Sequence, residues 1–286
     1  MPEMLNNQVA IITGGGRGIG RAISEIYARE GCRVNLISRT SKELEETAEF
    51  IRNRYNAVTK TYVLDIKDEK KVTSMVNSVY NDFGRIDILV NAASVLGPIG
   101  PLVEIDSKEW LNAIHTNLGG LFFSIKSVLP YMQNQNNGLV INFSGGGAVL
   151  PNPYFDSYSV CKAATVRITE NLAIELEEYG IIVCAIAPGG VNTRMFEEII
   201  MAGKEKMKRD IWQGFLERKK TGGDSLDNPR DLALYIAINR GKELNGRVIS
   251  AKWDNWKEIS SYKQEILSSD IYTMRRIKPE DRGYDW

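Results

Sequence analysis

Tyr158-Ser-Val-Cys-Lys162 sets a phenol and an ammonium four residues apart, so on a helix the two share a face about one turn apart. A free phenol titrates near pH ~10 and is a poor general base at neutrality. A cation close by stabilises the phenolate and lowers that value, which makes the pair a candidate for trading a proton with an alcohol or carbonyl oxygen. Just upstream, the apolar run Leu139-Val-Ile-Asn-Phe143 reads as a strand that ends on the hydroxyl of Ser144. Spacing of the YxxxK kind is common on helix surfaces by chance, so its weight comes from what surrounds it.

A second chemical feature lies near the start. Val9-Ala-Ile-Ile-Thr13 reads as a strand, Gly14-Gly-Gly-Arg-Gly-Ile-Gly20 follows, and Arg21-Ala-Ile-Ser-Glu-Ile26 begins a helix. A turn this tight needs residues without a Cβ, and the first helical turn offers unpaired N–H groups and a positive dipole end to a pyrophosphate. Gly14, Arg17, Gly18, Ile19 and Gly20 are therefore expected to cradle a dinucleotide. An acid at the end of the second strand would accept from the adenosine ribose; this chain has Ser38 and Arg39 there instead. With Arg17 in the glycine turn, two guanidinium groups can flank a 2′-phosphate, which favours NADP(H) over NAD(H). Asp65, followed by Ile66, is placed either to accept from the adenine amino group or to cap a helix starting near Lys67.

Placing these residues requires a scaffold, and the chain supplies one by alternation. Strand-like runs at residues 9–13, 34–37, 61–64, 86–90, 139–143, 181–186 and 247–250 are separated mostly by segments of helical periodicity, such as residues 21–29 and 42–55. Such alternation implies right-handed crossovers and a parallel sheet covered on both faces. The expected fold is a doubly wound (Rossmann) α/β sheet of seven parallel strands, one domain over residues 1–286, with its crevice at the switch point near the first strand. Residues 192–227, rich in Met, Lys and aromatics, and 254–286 fit the alternation poorly. The first is expected to form a partly apolar helical lid through Met195, Phe196, Met201, Met207, Trp212 and Phe215; the same residues could be plain core. The second, a C-terminal extension, could close over a polar substrate, pack on a neighbouring subunit, or simply pack on its own core.

Composition narrows the function classes. Thirty-six basic and thirty-six acidic residues cancel, so no overall field draws the chain to nucleic acid or an anionic membrane. The charge-dense run Lys204 to Arg209 reads as a solvated helix face. Cys32, Cys161 and Cys184 are odd in number and lack CxxC spacing, so neither a disulfide framework nor a zinc site is expected, and reduced thiols in a cytoplasmic protein are. No stretch reaches the ~18 apolar residues of a bilayer span. Glu3 stands where a leader would be basic, so no targeting segment is expected.

The ordered set resembles the short-chain dehydrogenase/reductase family: TGxxxGxG, an NNAG-like segment, an Asn, a Ser, YxxxK and a PG motif, over roughly residues 8–254. The resemblance implies an oxidoreductase that moves hydride between a nicotinamide cofactor and an alcohol/carbonyl substrate. Tyr158 would be the general acid/base. Lys162 would bind the nicotinamide ribose and depress the Tyr158 pKa. Asn117 would hold a proton-relay water, and Ser144 would orient the substrate oxygen. Asn91, Ala92 and Ala93 match the segment beside the cofactor; Pro188, Gly189, Val191 and Thr193 match the part contacting the nicotinamide and its carboxamide. A homodimer or homotetramer built on the helices near Asn117 and Tyr158 is implied as well.

The chain also departs from the pattern. The family's serine position is Gly145, and Ser144 is one residue early. Either Ser144-Gly-Gly-Gly147 shifts so that its Oγ still reaches the substrate oxygen, or a water replaces it. His115, the only histidine, is read as structural. Two rival functions are a non-catalytic dinucleotide sensor, against which the intact Tyr158, Lys162 and Asn117 argue, and an isomerase or dehydratase, whose usual glycine spacing and longer substrate domain are missing.

Overall fold

The computed structural model describes residues 3–286. Its centre is a seven-stranded sheet: β1 (Val9–Thr13), β2 (Arg33–Ser38), β3 (Thr59–Val63), β4 (Ile88–Asn91), β5 (Gly138–Phe143), β6 (Ile181–Ala187) and β7 (Val248–Ser250). All pairings are parallel, in the order β3-β2-β1-β4-β5-β6-β7. The expected doubly wound sheet is therefore present. Its order reverses between β1 and β4, where the crossovers leave in opposite directions and open a crevice beyond the strand ends.

Strands such as Val9-Ala-Ile-Ile-Thr13 are buried throughout because helices cover both faces. Successive side chains alternate between two cores. Ala10, Ile12, Leu139 and Ile141 pack with Ile23 and Tyr27 of α1 (Gly18–Arg29), Leu44 and Ile51 of α2 (Ser41–Tyr55) and Ile236 of α9 (Asp227–Asn239). Val9, Ile11 and Val140 face the other way, onto α3 (Glu69–Phe83), α5 (Gly120–Gln135) and the end of α6 (Asp156–Glu175). Buried Tyr27 donates to the Ala233 carbonyl at 2.9 Å and ties α1 to α9.

Two strands start two residues away from the sequence expectation. β3 begins at Thr59, paired with Val34, and β4 begins at Ile88. Ile86 is buried, but both its backbone groups are taken by the Gln135 side chain rather than by a strand. The helix after β3 is capped by Asp68, whose side chain accepts from Lys71 N at 3.1 Å. Asp65 instead accepts from Lys67 N in a local turn, so it does not serve as that cap.

Between α4 (Ser107–Ile114) and α5, residues His115–Gly119 make a π-helical turn. The His115 ring packs edge-on to Phe123 and against Gly119, whose Cβ, were there one, would lie 2.6 Å from His115 Cδ2. His115 thus fills a structural slot, on a π turn rather than the regular helix expected.

Residues 192–227 form α7 (Arg194–Ala202) and α8 (Arg209–Thr221) over a separate apolar cluster that includes Leu96, Phe155, Phe215 and Tyr158. Met201 does not join it and is exposed. The C-terminal segment, with α10 (Lys263–Leu267), packs on its own chain. Trp256, Ile259 and Ile266 are buried in the first core, and Arg247 donates to the carbonyls of Ile266, Ser269 and Ile271. Val248 N on the outer edge of β7 donates to Tyr272 O at 2.8 Å.

The three cysteines are free and buried. Among the described residues no helix is long and apolar enough to cross a membrane, and no cluster of three metal-ligating side chains exists.

Candidate active site

At the C-terminal end of β1 the chain turns into α1 through the glycines. Gly14 has φ +70°, and a Cβ there would lie 3.0 Å from Ala93 N. A Cβ on Gly20 would strike the Gly14 carbonyl. Only glycine allows this approach. Arg17, the N-cap of α1, makes no side-chain cap, and the first turn holds no acid, so N–H groups and dipole remain open to an anion.

From this turn a groove of about 570 Å³ runs across the sheet end, within the range of small-molecule sites. Gly14, Arg17, Gly18, Ile19, Gly20, Ser38, Arg39, Asp65, Ile66, Ala92, Ala93, Ser144, Tyr158, Lys162, Pro188 and Thr193 all line it. Residues from distant stretches are therefore brought to one continuous surface. Four expected residues, Asn91, Asn117, Gly189 and Val191, stand behind that surface instead. Asn91 donates to Asn142, which donates to Thr169, a buried chain of amides joining β4, β5 and α6. Gly189 (φ +84°) faces Asp224, and buried Val191 bridges to Asp224.

Sequence reasoning missed Glu43, Arg194 and Glu198, which also line the groove, as does the expected lid residue Met195. Glu43 Oε1 stands 3.2 Å from Arg17 Nη1 and 3.6 Å from Arg194 Nη1. It sits in the first turn of α2, where an acid has the ordinary reading of a dipole partner, so nothing local marks it.

Asn117 lies in the π turn and is buried. Its Oδ1 accepts from Val95 N at 2.8 Å and Ser94 Oγ at 3.0 Å, while Nδ2 donates to Val95 O at 2.8 Å. The amide holds the loop after β4. A relay water on Oδ1 would have to displace one of these bonds.

Tyr158 and Lys162 share a face of α6 as expected, with Lys162 Nζ 5.2 Å from the centre of the Tyr158 ring. Nζ donates to the Phe143 carbonyl at 2.8 Å. Burial pushes the ammonium down to about 8. Burial also pushes the Tyr158 phenol up to about 12, opposed chiefly by the Arg218 guanidinium. The expected depression of the phenol by Lys162 is thus absent from the protein alone: removal from water penalises the phenolate more than the surrounding charges favour it.

Ser144 is buried and its Oγ donates to the Lys162 carbonyl at 3.3 Å, so the hydroxyl is turned to the α6 backbone, not aimed freely at the groove. The neighbouring backbone takes the other orientation. A Cβ on Gly145 would lie 3.5 Å from Tyr158 Oη. The position that faces the phenol carries no side chain.

A family model described as short chain dehydrogenase matches residues 8–202. The chain belongs to the short-chain dehydrogenase family. It is an oxidoreductase of the dehydrogenase/reductase kind. It is 34% identical over 252 residues to the 3-oxoacyl-[acyl-carrier-protein] reductase of Thermotoga maritima, covering 86% of this chain and 96% of that one. It is 34% identical over 192 residues to levodione reductase of Leifsonia aquatica, covering 67% and 72%. Among solved structures, a levodione reductase superimposes with TM-score 0.79 at 27% identity over 90% of this chain and 99% of that one. An NAD+-bound xylitol dehydrogenase gives TM-score 0.79 at 25% identity, over 86% and 98%.

Proposed function

We propose that this dehydrogenase transfers hydride between NADP(H) and an alcohol/carbonyl substrate, with Tyr158 as the general acid/base. What carries the reading is the continuity of the groove from the glycine turn to Tyr158 and Lys162. The residues present fit a nicotinamide dinucleotide: a cradle at Gly14 and Gly20 that a Cβ would fill, an open helix N-terminus, and cationic walls. The cofactor, when bound, supplies or accepts the hydride.

The chain's own groups handle the proton. With its phenol raised by burial, Tyr158 rests protonated at neutral pH and is set to donate to a carbonyl oxygen in reduction. Lys162, tied to Phe143, is placed to hold the cofactor ribose and to return charge to the phenolate as it forms. Ser144 and Asn117 serve by fixing the α6 backbone and the loop after β4. Residues 192–227 act as the lid, their apolar side chains excluding water from Tyr158. Support for NADP(H) comes from Arg17, Ser38 and Arg39 on the groove wall and from the lack of a carboxylate at the end of β2. The test is a panel of carbonyls and alcohols with NADPH, NADH and their oxidised forms. Tyr158→Phe is expected to abolish turnover, and an active Tyr158→Phe enzyme overturns the assignment.

We also infer a homo-oligomer assembled through α5 and α6. Phe122 on α5 and Val160 and Ile174 on α6 are exposed apolar side chains on helices the rest of the chain leaves partly uncovered. Light scattering on Phe122→Glu, expected to give a smaller species than the parent, checks this.

A further inference from the structure

The lid leaves the sheet after β6 and comes back to the same spot, where Val191 pairs with Asp224 in a short parallel bridge. The loop at that spot, Pro188-Gly-Gly-Val-Asn-Thr193, carries Pro188, Asn192 and Thr193 into the groove. It starts beside Ser144, whose N donates to the Ile186 carbonyl at 2.9 Å. It ends beside the glycine turn, where a Cβ on Gly18 would lie 3.6 Å from Thr193 Cγ2. This loop is therefore a wall of the groove from the Ser144 side to the start of α1. Two consecutive glycines sit in its middle, and a Gly-Gly pair left free has more conformations to lose than any other.

Asp224 holds that pair. Its Oδ2 accepts from Gly190 N at 2.6 Å while its own N donates to Gly190 O at 2.9 Å, so one residue takes both backbone groups of Gly190. The approach is close: a Cβ on Gly189 (φ +84°) would lie 2.8 Å from Asp224 Oδ2, and one on Gly223 (φ +70°) 2.7 Å from Gly190 O. The second carboxylate oxygen, Oδ1, meets Lys252 Nζ at 2.7 Å, just beyond β7. Burial works to raise the Asp224 carboxyl, yet Lys252 and the Gly190 N–H keep it below the usual carboxylate range. Arg218 adds a further hold on the loop, Nε donating to Asn192 Oδ1 at 3.0 Å and Nη2 to the Val191 carbonyl at 2.5 Å. Asp224 itself does not line the groove, so any effect it has there passes through the loop.

We propose that Asp224 is a positioning residue for the nicotinamide half of the cofactor site: anchored by Lys252, it fixes Gly190 and so sets Pro188, Asn192 and Thr193 on the groove wall. This rests on the reading of the groove as a dinucleotide site. Hydride has to leave or arrive beside the carbon whose oxygen Tyr158 serves, so the nicotinamide half lies along this loop. The adenosine half falls to Arg17, Ser38, Arg39 and Asp65, none of which Asp224 bonds. A wall already in place needs no ordering when the ligand arrives, and that saving appears as affinity.

The experiment titrates the protein calorimetrically with NADP+ and with adenosine 2′,5′-bisphosphate, which keeps the adenosine half and lacks the nicotinamide half; NAD+ and 5′-AMP are run alongside. Asp224→Ala is expected to weaken the dinucleotide about fivefold or more and to leave the adenosine nucleotide within about twofold. Asp224→Asn keeps an oxygen for Gly190 N and is expected to stay within about threefold of the parent for both. Equal losses for the two nucleotides, no loss for the dinucleotide, or an asparagine variant as weak as the alanine one overturns the proposal. Should Asp224→Ala fail to fold, Lys252→Met decides: it leaves Asp224 in place but frees its far oxygen, so a loss of about threefold confined to the dinucleotide is expected, and an equal or absent loss overturns the proposal. Whichever dinucleotide the parent binds tighter serves, so the outcome does not hang on the preference for NADP(H). A parent that binds neither dinucleotide sinks the cofactor reading itself, a result the variants play no part in.

Discussion

Gly145 directs its missing side chain at Tyr158: a Cβ there would lie 3.5 Å from the phenol oxygen. Its backbone is extended, φ −179° and ψ 170°, which any residue adopts. Gly145→Ser should therefore fold normally and place a hydroxyl beside Tyr158 Oη. Turnover is expected to rise about tenfold, by analogy with a positioned donor at a developing oxyanion. Ser144→Ala, by contrast, removes a bond to the Lys162 carbonyl. It should cost about 1 kcal/mol of stability and less than about threefold in kcat, since the hydroxyl is committed to α6. Steady-state kinetics of both variants decide; a Ser144→Ala enzyme as dead as Tyr158→Phe would show that Ser144 orients substrate after all.

How much of this was legible beforehand depends on whether the signal was local. The glycine turn and the Tyr158–Lys162 pair announce themselves because strand, turn and helix follow one another within a few residues, and the sheet follows from the alternation around them. Glu43 and Arg194 gave no such signal. Glu43 reads as an ordinary first-turn acid of α2, and Arg194 reaches the site only because α7 folds back over the sheet end, a tertiary event with no short-range mark. The π turn at His115–Gly119 is equally silent: its residues carry ordinary helical composition, and only Gly119, set against the His115 ring, hints that the helix must widen. The direction of Ser144 is not legible in the sequence, because one residue of register on an extended chain turns a side chain to the opposite side.

Lys162 leads to a pH dependence of stability. Its pKa falls from 10.5 to about 8 on folding, so between those values the unfolded chain binds more protons than the folded one. Stability then rises with pH across that window and gains nothing below it. At full burial the shift amounts to roughly 3 kcal/mol. Tyr158 acts oppositely: raised to about 12, it contributes stability below pH ~10 that is lost as pH climbs through the folded value. Denaturant melts from pH 7.5 to 9.5 should show the parent gaining on Lys162→Met as pH rises. Parallel curves for the two proteins would mean that the ammonium is not desolvated as the geometry requires.

The carboxylate of Glu43, between Arg17 and Arg194, makes a prediction about the cofactor. Both ion pairs are partly exposed, so they hold little energy and a phosphate can compete for the cations. Removing the charge in Glu43→Gln frees Arg17 and raises the positive field of the groove. NADPH should bind about three- to tenfold tighter, with a smaller gain for NADH, which lacks the 2′-phosphate. Arg39→Ala should weaken NADPH by about tenfold and leave NADH nearly unchanged. Isothermal titration with both cofactors measures the ratio. Equal changes for the two would remove Arg39 and Arg17 from the 2′-phosphate site and with them the case for NADP(H).

The last prediction concerns the edge of the sheet. β7 pairs with β6 on one side only, and an open strand edge invites pairing with another chain. Here the C-terminal segment covers it: Tyr272 O takes the Val248 N–H at 2.8 Å, and Arg247 holds the segment by the carbonyls of Ile266, Ser269 and Ile271. Arg247→Met leaves those carbonyls without their donor and should cost about 2–4 kcal/mol, lowering Tm by several degrees. Because the groove is lined by no residue beyond Leu226, cofactor binding below the melt should stay within about twofold. Truncation after residue 254 goes further: it uncovers the β7 edge and strips Trp256, Ile259 and Ile266 from the core, so concentration-dependent association in sedimentation velocity is expected. A truncated protein with unchanged Tm and unchanged oligomeric state would show the segment to be an appendage rather than part of the sheet's protection.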